Sequence, residues 1–351
     1  MSIREAIDFA VQGQEVPAGT LEAAFGEIMD GEAGEASIAA LLVALRAKGE
    51  TVGEIVAAAR ALRARARTAP IPDPRAVDTC GTGGDGAGTF NVSTTAAFVV
   101  AGAGVPVAKH GNRAASSLAG SSDVLEALGV RVDLPVEEAA RVLAEVGIAF
   151  FFAPRAHPAM RHVAAVRREL GIRTLMNCLG PLLNPVGVRF QLVGVYAPEL
   201  VQPLAEALAE LGTERALVVH GSDGLDELTT RGNSTAALLS ARGVETLSVN
   251  PQELGLEVPG KAALAGGDAA ENAKITRSIL EGEPGPRRDI VVLNAAAALW
   301  VAGACSGLAD GIALADESLS GGAAFARLEA LVKATRGKVQ HTELRPGEPR
   351  S

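Results

Sequence analysis

The chain is poor in aromatic residues, in cysteine and in positive charge, and each shortage removes a class of function. One Trp, one Tyr and nine Phe make up 3% of 351 residues. Ala, Leu and Val must therefore fill the core that a 48% apolar content allows. The cysteines, Cys80, Cys178 and Cys305, are scattered and form no C-x-x-C pair. That argues against a disulfide framework or a metal knuckle and fits a reducing cytoplasm. Cys80 has no His and Asp arranged by sequence to make it a nucleophile. No pair of histidines has the i, i+4 spacing of a helical zinc site. The net charge of -9 gives no support to nucleic-acid binding. The run Arg60, Arg63, Arg65, Arg67 reads instead as cations at the end of a helix. Nothing reaches the length of a membrane span, and residues 1–10, carrying Glu5 and Asp8, do not read as a signal peptide.

What is present divides in two. Apolar periodicity predicts helices over 3–11, 20–29, 36–47 and 52–66, separated by Gly and Pro, hence a small helical domain over residues 1–70. Leu41, Leu42 and Leu45 serve either its core or an interface. A Pro-rich hinge over 69–74 leads into short apolar strands alternating with helices, an α/β pattern over 75–340. The polar segment 341–351, with Pro and Gly, reads as a disordered tail.

Chemistry concentrates in a few segments. Asp78-Thr79-Cys80-Gly81-Thr82-Gly83-Gly84-Asp85-Gly86 is a glycine loop whose backbone N–H groups can approach an anion. It feeds an apolar helix capped by Ser93, Thr94 or Thr95, whose N-terminus favours phosphate. No Lys follows Gly86, which excludes a P-loop, and no acidic residue stands about 20 positions on, which excludes a dinucleotide fingerprint. Lys109-His110-Gly111-Asn112-Arg113-Ala114-Ala115-Ser116-Ser117 adds cations, an amide and hydroxyls suited to phosphate or carboxylate. Ser121 or Ser122 caps a further helix, a second candidate anion site. Arg167 and Arg168 point to different faces of one helix. The Pro-punctuated segment 176–185 is too apolar for a solvated loop and lines something. Asp223, Asp226 and Glu227 lie just past a strand's C-terminal end, and Asp226 with Glu227 suits Mg²⁺ shared with a diphosphate.

Gly81-Thr-Gly-Gly-Asp85, Asn91-Val-Ser-Thr94, Lys109-His-Gly-Asn-Arg113, Val166-Arg-Arg-Glu-Leu-Gly171 and Asp226-Glu227, in this order and spacing, resemble the anthranilate phosphoribosyltransferase family over nearly the whole chain. The resemblance implies a helical domain hinged to a larger α/β domain with a mostly parallel central sheet, with about 174–190 folding back onto the helices. It implies that phosphoribosyl pyrophosphate (PRPP) is bound by Gly81, Gly84, Asp85, Thr89, Asn91, Val92, Ser93, Thr94, the segment Lys109, His110, Gly111, Asn112, Arg113, Ala114, Ala115, Ser116, Ser117, and Ser121. Anthranilate falls to Gly81, Asn112, His157, Arg167 and Pro181. Ser93, Asp226 and Glu227 hold magnesium, two ions per monomer.

The implied reaction, in tryptophan biosynthesis, passes the phosphoribosyl group to the anthranilate amine in the cytoplasm of a homodimeric enzyme. An aniline nitrogen is neutral at pH 7, so no acid or base is indispensable. Lys109 and Arg167 stabilise charge and position substrates, and His110 and His157 orient. Class II pyrimidine nucleoside phosphorylases share the fold with a different loop. A binding module on the same fold would lack Asp226, Glu227 or Arg167.

Overall fold

The computed structural model of the protein describes residues 2–114 and 118–336. Ala115, Ser116 and Ser117 of the expected phosphate segment, and the 341–351 tail, lie outside the described residues.

The first four helices are α1 (Ile3–Val11), α2 (Ala18–Asp30), α3 (Glu35–Lys48) and α4 (Val52–Arg63). Their starts follow the apolar periodicity closely. Thr51 opens α4 with a reciprocal capping box to Glu54. The Glu54 carboxylate is fully buried and also accepts the Val16 amide (2.9 Å) and the Lys48 ammonium (2.9 Å), tying three helix ends together. The last helix ends at Arg63, short of the predicted 66. The chain turns there, and the Arg67 amide donates to the Ala156 carbonyl of the other domain (2.8 Å). Leu41, Leu42 and Leu45 are completely buried and belong to the core of this chain.

The second part is a seven-stranded sheet: β1 (Val77–Gly81), β2 (Val107–Gly111), β3 (Ile148–Phe152), β4 (Phe190–Gly194), β5 (Arg215–Gly221), β6 (Ser234–Ser240) and β7 (Gly243–Val249). The order is β3-β2-β1-β4-β5-β6-β7, parallel through β5 and antiparallel in the last two pairs. Strand order reverses beside β1, so the crevice between the C-terminal ends of β1 and β4 is the switch point where α/β sheets bind ligands.

Side-chain alternation along the strands sends residues into two cores. Leu192, Leu217 and Val219 join a core containing α5 (Val92–Gly102) and the helix Pro286–Val301. Val193, Ala216 and Val218 face the opposite way, into a core shared with α1 to α4. Leu175, Met176, Cys178, Leu179, Leu182 and Leu183 enter that second core. Most of segment 176–185 is therefore packing material, which is why it is apolar. Among the described residues no helix is long and apolar enough to cross a membrane.

Arg63 pins the two parts. Its Nε donates to the Leu182 carbonyl (2.7 Å) and its Nη1 to the Leu211 carbonyl (3.1 Å), while burial lowers the guanidinium pKa. Removing it strands two carbonyls, so Arg63→Ala should lower stability in urea unfolding by about 1–3 kcal/mol. A change below about 0.5 kcal/mol, the range of an ordinary surface substitution, would mean the pin is dispensable.

Candidate active site

The glycine loop leaves the end of β1 as expected, and Gly83, Gly84, Gly86 and Gly88 all adopt positive φ (65°, 79°, 70° and 68°). Gly81 is needed for a different reason. A Cβ there would meet Asp226 Oδ2 at 2.6 Å, and one on Gly194 would coincide with the Asp226 carbonyl oxygen. Gly194, at the end of β4, was not among the sequence candidates, because its neighbour lies in a distant turn. These two glycines let the turn after β5 drop into the crevice, where the Gly83 amide donates to Asp226 Oδ2 (2.7 Å) and the Ser93 amide to Glu227 Oε1 (3.1 Å).

Lys109 approaches the same place from β2. Its ammonium donates to the Thr79 carbonyl and reaches Ser93 Oγ at 3.4 Å, and Thr79 Oγ1 donates to the Ser93 carbonyl (3.2 Å). Burial lowers the Lys109 pKa, opposed by Asp78, Glu227 and Asp226. Burial likewise pushes Asp226 up to about 7, with Asp85 adding repulsion, and Glu227 up to about 8, with Asp226 adding repulsion. Two carboxylates so placed, beside a serine hydroxyl and a phosphate-type loop, are a donor set that a hard divalent cation fits. Asp223 is not part of it. Its carboxylate accepts from Thr229 Oγ1 (3.1 Å) and Arg231 (3.1 Å) outside the crevice.

Beneath this lies Asp78, fully buried, with its pKa pushed up to about 6 by desolvation. It accepts the His110 amide (3.1 Å) and Asn184 Nδ2 (2.9 Å), and the same Nδ2 donates to the Ala108 carbonyl (2.9 Å). Neither Asp78 nor Asn184 was a site candidate, since a buried Asp and Asn look unremarkable until their partners are known. The His110 ring meets the His157 ring edge-on, 5.3 Å between centroids, and His157 Nε2 bonds the Leu183 carbonyl (2.8 Å). Burial drives His110 down to about 3 and lowers His157. Both are neutral around pH 7, which suits orientation better than proton transfer. Cys80 is buried, and its thiol is pushed well up, chiefly by desolvation, the reverse of what a nucleophile needs.

Two expected caps differ. The N-cap of α5 is Asn91, whose side chain instead donates to the Ala119 carbonyl (3.2 Å) and accepts from Asn272 (3.0 Å). Val92, Ser93 and Thr94 sit in the first turn, and Thr94 Oγ1 is buried with no partner among the described residues. The helix Ser121–Ala127 is capped by Gly120, and Asp123 at its third position reaches back to accept the Gly120 amide (2.8 Å) and also takes the Ala114 amide (3.0 Å). Ser121 Oγ donates to the Asn112 carbonyl (3.2 Å). The Arg113 guanidinium is engaged by Asp123 (2.9 Å) and Glu126 (2.7 and 2.8 Å), so it braces this loop. Thr89 forms a bridge with Ala265, and Asp85 Oδ1 accepts the Ala87 amide (3.2 Å).

Arg167 stands apart on the helix Arg161–Leu170, which packs on α2 and α3. It is half-buried, has no ion pair or hydrogen bond among the described residues, and its pKa is lowered by burial, whereas Arg168 is exposed. Pro181 is buried and lends its carbonyl to Gln191 (2.8 Å). Arg173, not foreseen, stacks on Tyr196 (4.4 Å) and donates to the Gly84 carbonyl (3.0 Å), bracing the glycine loop from the helical side.

Comparison with known proteins matches residues 4–66 to the glycosyl transferase family helical bundle domain and residues 73–325 to the glycosyl transferase family α/β domain. The chain is 53% identical to the anthranilate phosphoribosyltransferase of Moorella thermoacetica over 330 residues, 94% of this chain and 97% of the relative. The crystal structure of the Thermus thermophilus anthranilate phosphoribosyltransferase superposes with a TM-score of 0.89 at 46% identity, covering 95% of this chain and 99% of that one. The Saccharomyces cerevisiae enzyme in complex with PRPP and Mg gives 0.88 at 29% identity, covering 95% and 98%.

The raised carboxylate pKa values set a pH dependence. Ionising Asp226 and Glu227 in the fold is disfavoured relative to the unfolded chain, so without a cation their contribution to stability falls as pH rises above the ordinary carboxylate range and is fully lost once pH has passed about 7 and about 8. A bound divalent cation replaces the protons and removes that loss. The rise in melting temperature on adding Mg²⁺ should therefore be larger at about pH 8.5 than at about pH 6. Equal rises at both would place the cation elsewhere.

Proposed function

The chain belongs to the anthranilate phosphoribosyltransferase family, and from that premise we propose how its residues divide the work. The reaction moves the phosphoribosyl group of PRPP to the amine of anthranilate, giving N-(5-phosphoribosyl)anthranilate and pyrophosphate. The observation that carries the assignment of residues is the meeting of Asp226 and Glu227 with the glycine loop, Ser93 and Lys109 at the switch point of the sheet.

The diphosphate lies along the loop amides from Gly81 to Gly86 and the first turn of α5, where Ser93, the unpartnered Thr94 hydroxyl and the helix N-terminus all favour an anion. Ser93, Asp226 and Glu227 would hold Mg²⁺, with two ions per monomer once PRPP supplies further oxygens. When bound, the metal neutralises charge growing on the leaving pyrophosphate. Lys109 adds a fixed positive charge on the same side, pre-organised by its bond to Thr79. Asn112 and Ser121, joined by the Ser121 hydroxyl on the Asn112 carbonyl, bind the ribose phosphate.

Anthranilate is held by Arg167, whose free planar fork can pair with both carboxylate oxygens, and by Asn112, with His157 and Pro181 forming the wall of its approach. The attacking aniline nitrogen carries a free lone pair at neutral pH. Burial lowers the pKa of both nearby imidazoles and so weakens them as proton acceptors, and the amine needs none. Rate then comes from alignment of amine and anomeric carbon and from leaving-group stabilisation. We place the reaction in tryptophan biosynthesis, in the cytoplasm, in a homodimer.

Loss of anthranilate fluorescence on mixing with PRPP should require Mg²⁺, with no phosphorolysis of thymidine or uridine in a parallel assay. Nucleoside cleavage instead would move the chain to the phosphorylase branch of the fold. Arg167→Ala should raise KM for anthranilate by at least about tenfold, as expected for one charged hydrogen-bonded contact, and leave KM for PRPP little changed. Equal increases in both would remove Arg167 from the carboxylate.

A further inference from the structure

The turn that carries Asp226 and Glu227 has no strand ladder to hold it. Residues 222–233 are irregular, closed at the base by the Ser222 amide on the Asn233 carbonyl (3.0 Å). On one side the Asp226 backbone is lodged against Gly194. On the other side the chain continues into Leu228, fully buried, whose amide and carbonyl both need partners.

Both partners come from one side chain. The helix Pro286–Val301 is apolar from residue 290 to residue 301 except for Asn294, which is completely buried. Asn294 Oδ1 accepts the Leu228 amide (3.0 Å), and its Nδ2 donates to the Leu228 carbonyl (2.9 Å) and to the Ile290 carbonyl in its own helix (2.9 Å). A carboxamide in an apolar helix is costly to bury unless every polar atom is satisfied, and here each is. Asp would lack the two donors and Leu would lack everything. The amide thus reads the backbone of Leu228 as a neighbouring strand would, and its other bond anchors it to a rigid helix.

We infer that Asn294 is a positioning residue for the divalent-cation carboxylates. It fixes the backbone immediately after Glu227, as Gly194 fixes the backbone at Asp226, and so sets where both side chains project into the crevice. The inference rests on the proposed cation role of that pair. It requires no contact between Asn294 and either substrate.

The test is Mg²⁺ binding to the full chain by isothermal titration calorimetry, without substrates, for wild type, Asn294→Asp and Leu293→Ala. The last removes a buried side chain from the same helix but no bond to the turn. Asn294→Asp should weaken Mg²⁺ by about tenfold or more, the usual effect of removing a group that orients a metal ligand. KM for anthranilate should stay within about twofold, since its binding groups are untouched. Leu293→Ala should lower the melting temperature through its cavity and leave Mg²⁺ affinity unchanged. Equal losses in both variants, or none in Asn294→Asp, would overturn the inference. If Asn294→Asp does not fold, hydrogen exchange on wild type decides. The Leu228 amide should exchange far more slowly than that of Gly224 in the same turn, and comparable rates would overturn the proposal. Asp226→Asn with Glu227→Gln should abolish binding. If it does not, the cation site itself is misplaced and the inference falls with it, whereas normal binding by Asn294→Asp beside a dead carboxylate variant refutes the inference alone.

Discussion

One buried negative charge underlies the geometry of this site. Asp78 is sealed from water, and removing a carboxylate from water is tolerated only with partners in place. Its partners are the β2 backbone at His110, the Asn184 amide and the nearby Lys109 charge. Through Asn184 it also holds the turn leading out of the Leu179–Leu183 packing segment, whose Leu183 carbonyl anchors His157. The groups proposed for the diphosphate and those proposed for the aromatic acid therefore share one fixed point, and the distance between them is built in before either substrate arrives. That is the condition under which positioning contributes to rate.

The electrostatics around that point are polarised. Lys109 is buried with carboxylates on several sides, and two of them, Asp226 and Glu227, resist ionisation. The crevice is thus short of positive charge, and a divalent cation held there, as proposed, would complete it. His110 and His157 have the opposite character, uncharged and set edge to face. One wall of the site thus carries charged and titrating groups and the other carries two uncharged imidazoles.

Much of this was legible in the sequence where chemistry is local. The glycine loop announces itself because four of its glycines occupy conformations that other residues avoid, and α1 to α4 because apolar residues recur at helical spacing. Asp226 and Glu227 stood out as acids after a strand, although Asp226 meets Gly83 across 143 positions and Glu227 meets Ser93 across 134. What stayed hidden is meaning conferred by a distant neighbour. Gly194 looks like any strand-end glycine until the Asp226 carbonyl is seen against it, and Asn184 looks like a turn residue until Asp78 is found behind it. The caps were misassigned for the same reason. Serines favour caps in isolation, but here the helix begins one residue earlier, at Gly120, whose amide is held by Asp123 from within the first turn. Segment 176–185 was apolar because it packs, and only the second core reveals what it packs against.

That second core has a consequence for how the chain is made. The helices α1 to α4 leave the ribosome before the sheet, yet the apolar surface they share includes Val163, Leu175, Val193, Leu204 and Leu208, contributed much later. At synthesis rates of about 5–20 residues per second, completion of that surface lags the last of these helices by on the order of ten seconds. The newborn bundle must wait with Leu and Val side chains uncovered, so shielding by a chaperone, or slow translation just before Val163, would be decided by the topology of this core rather than by any feature of the active site.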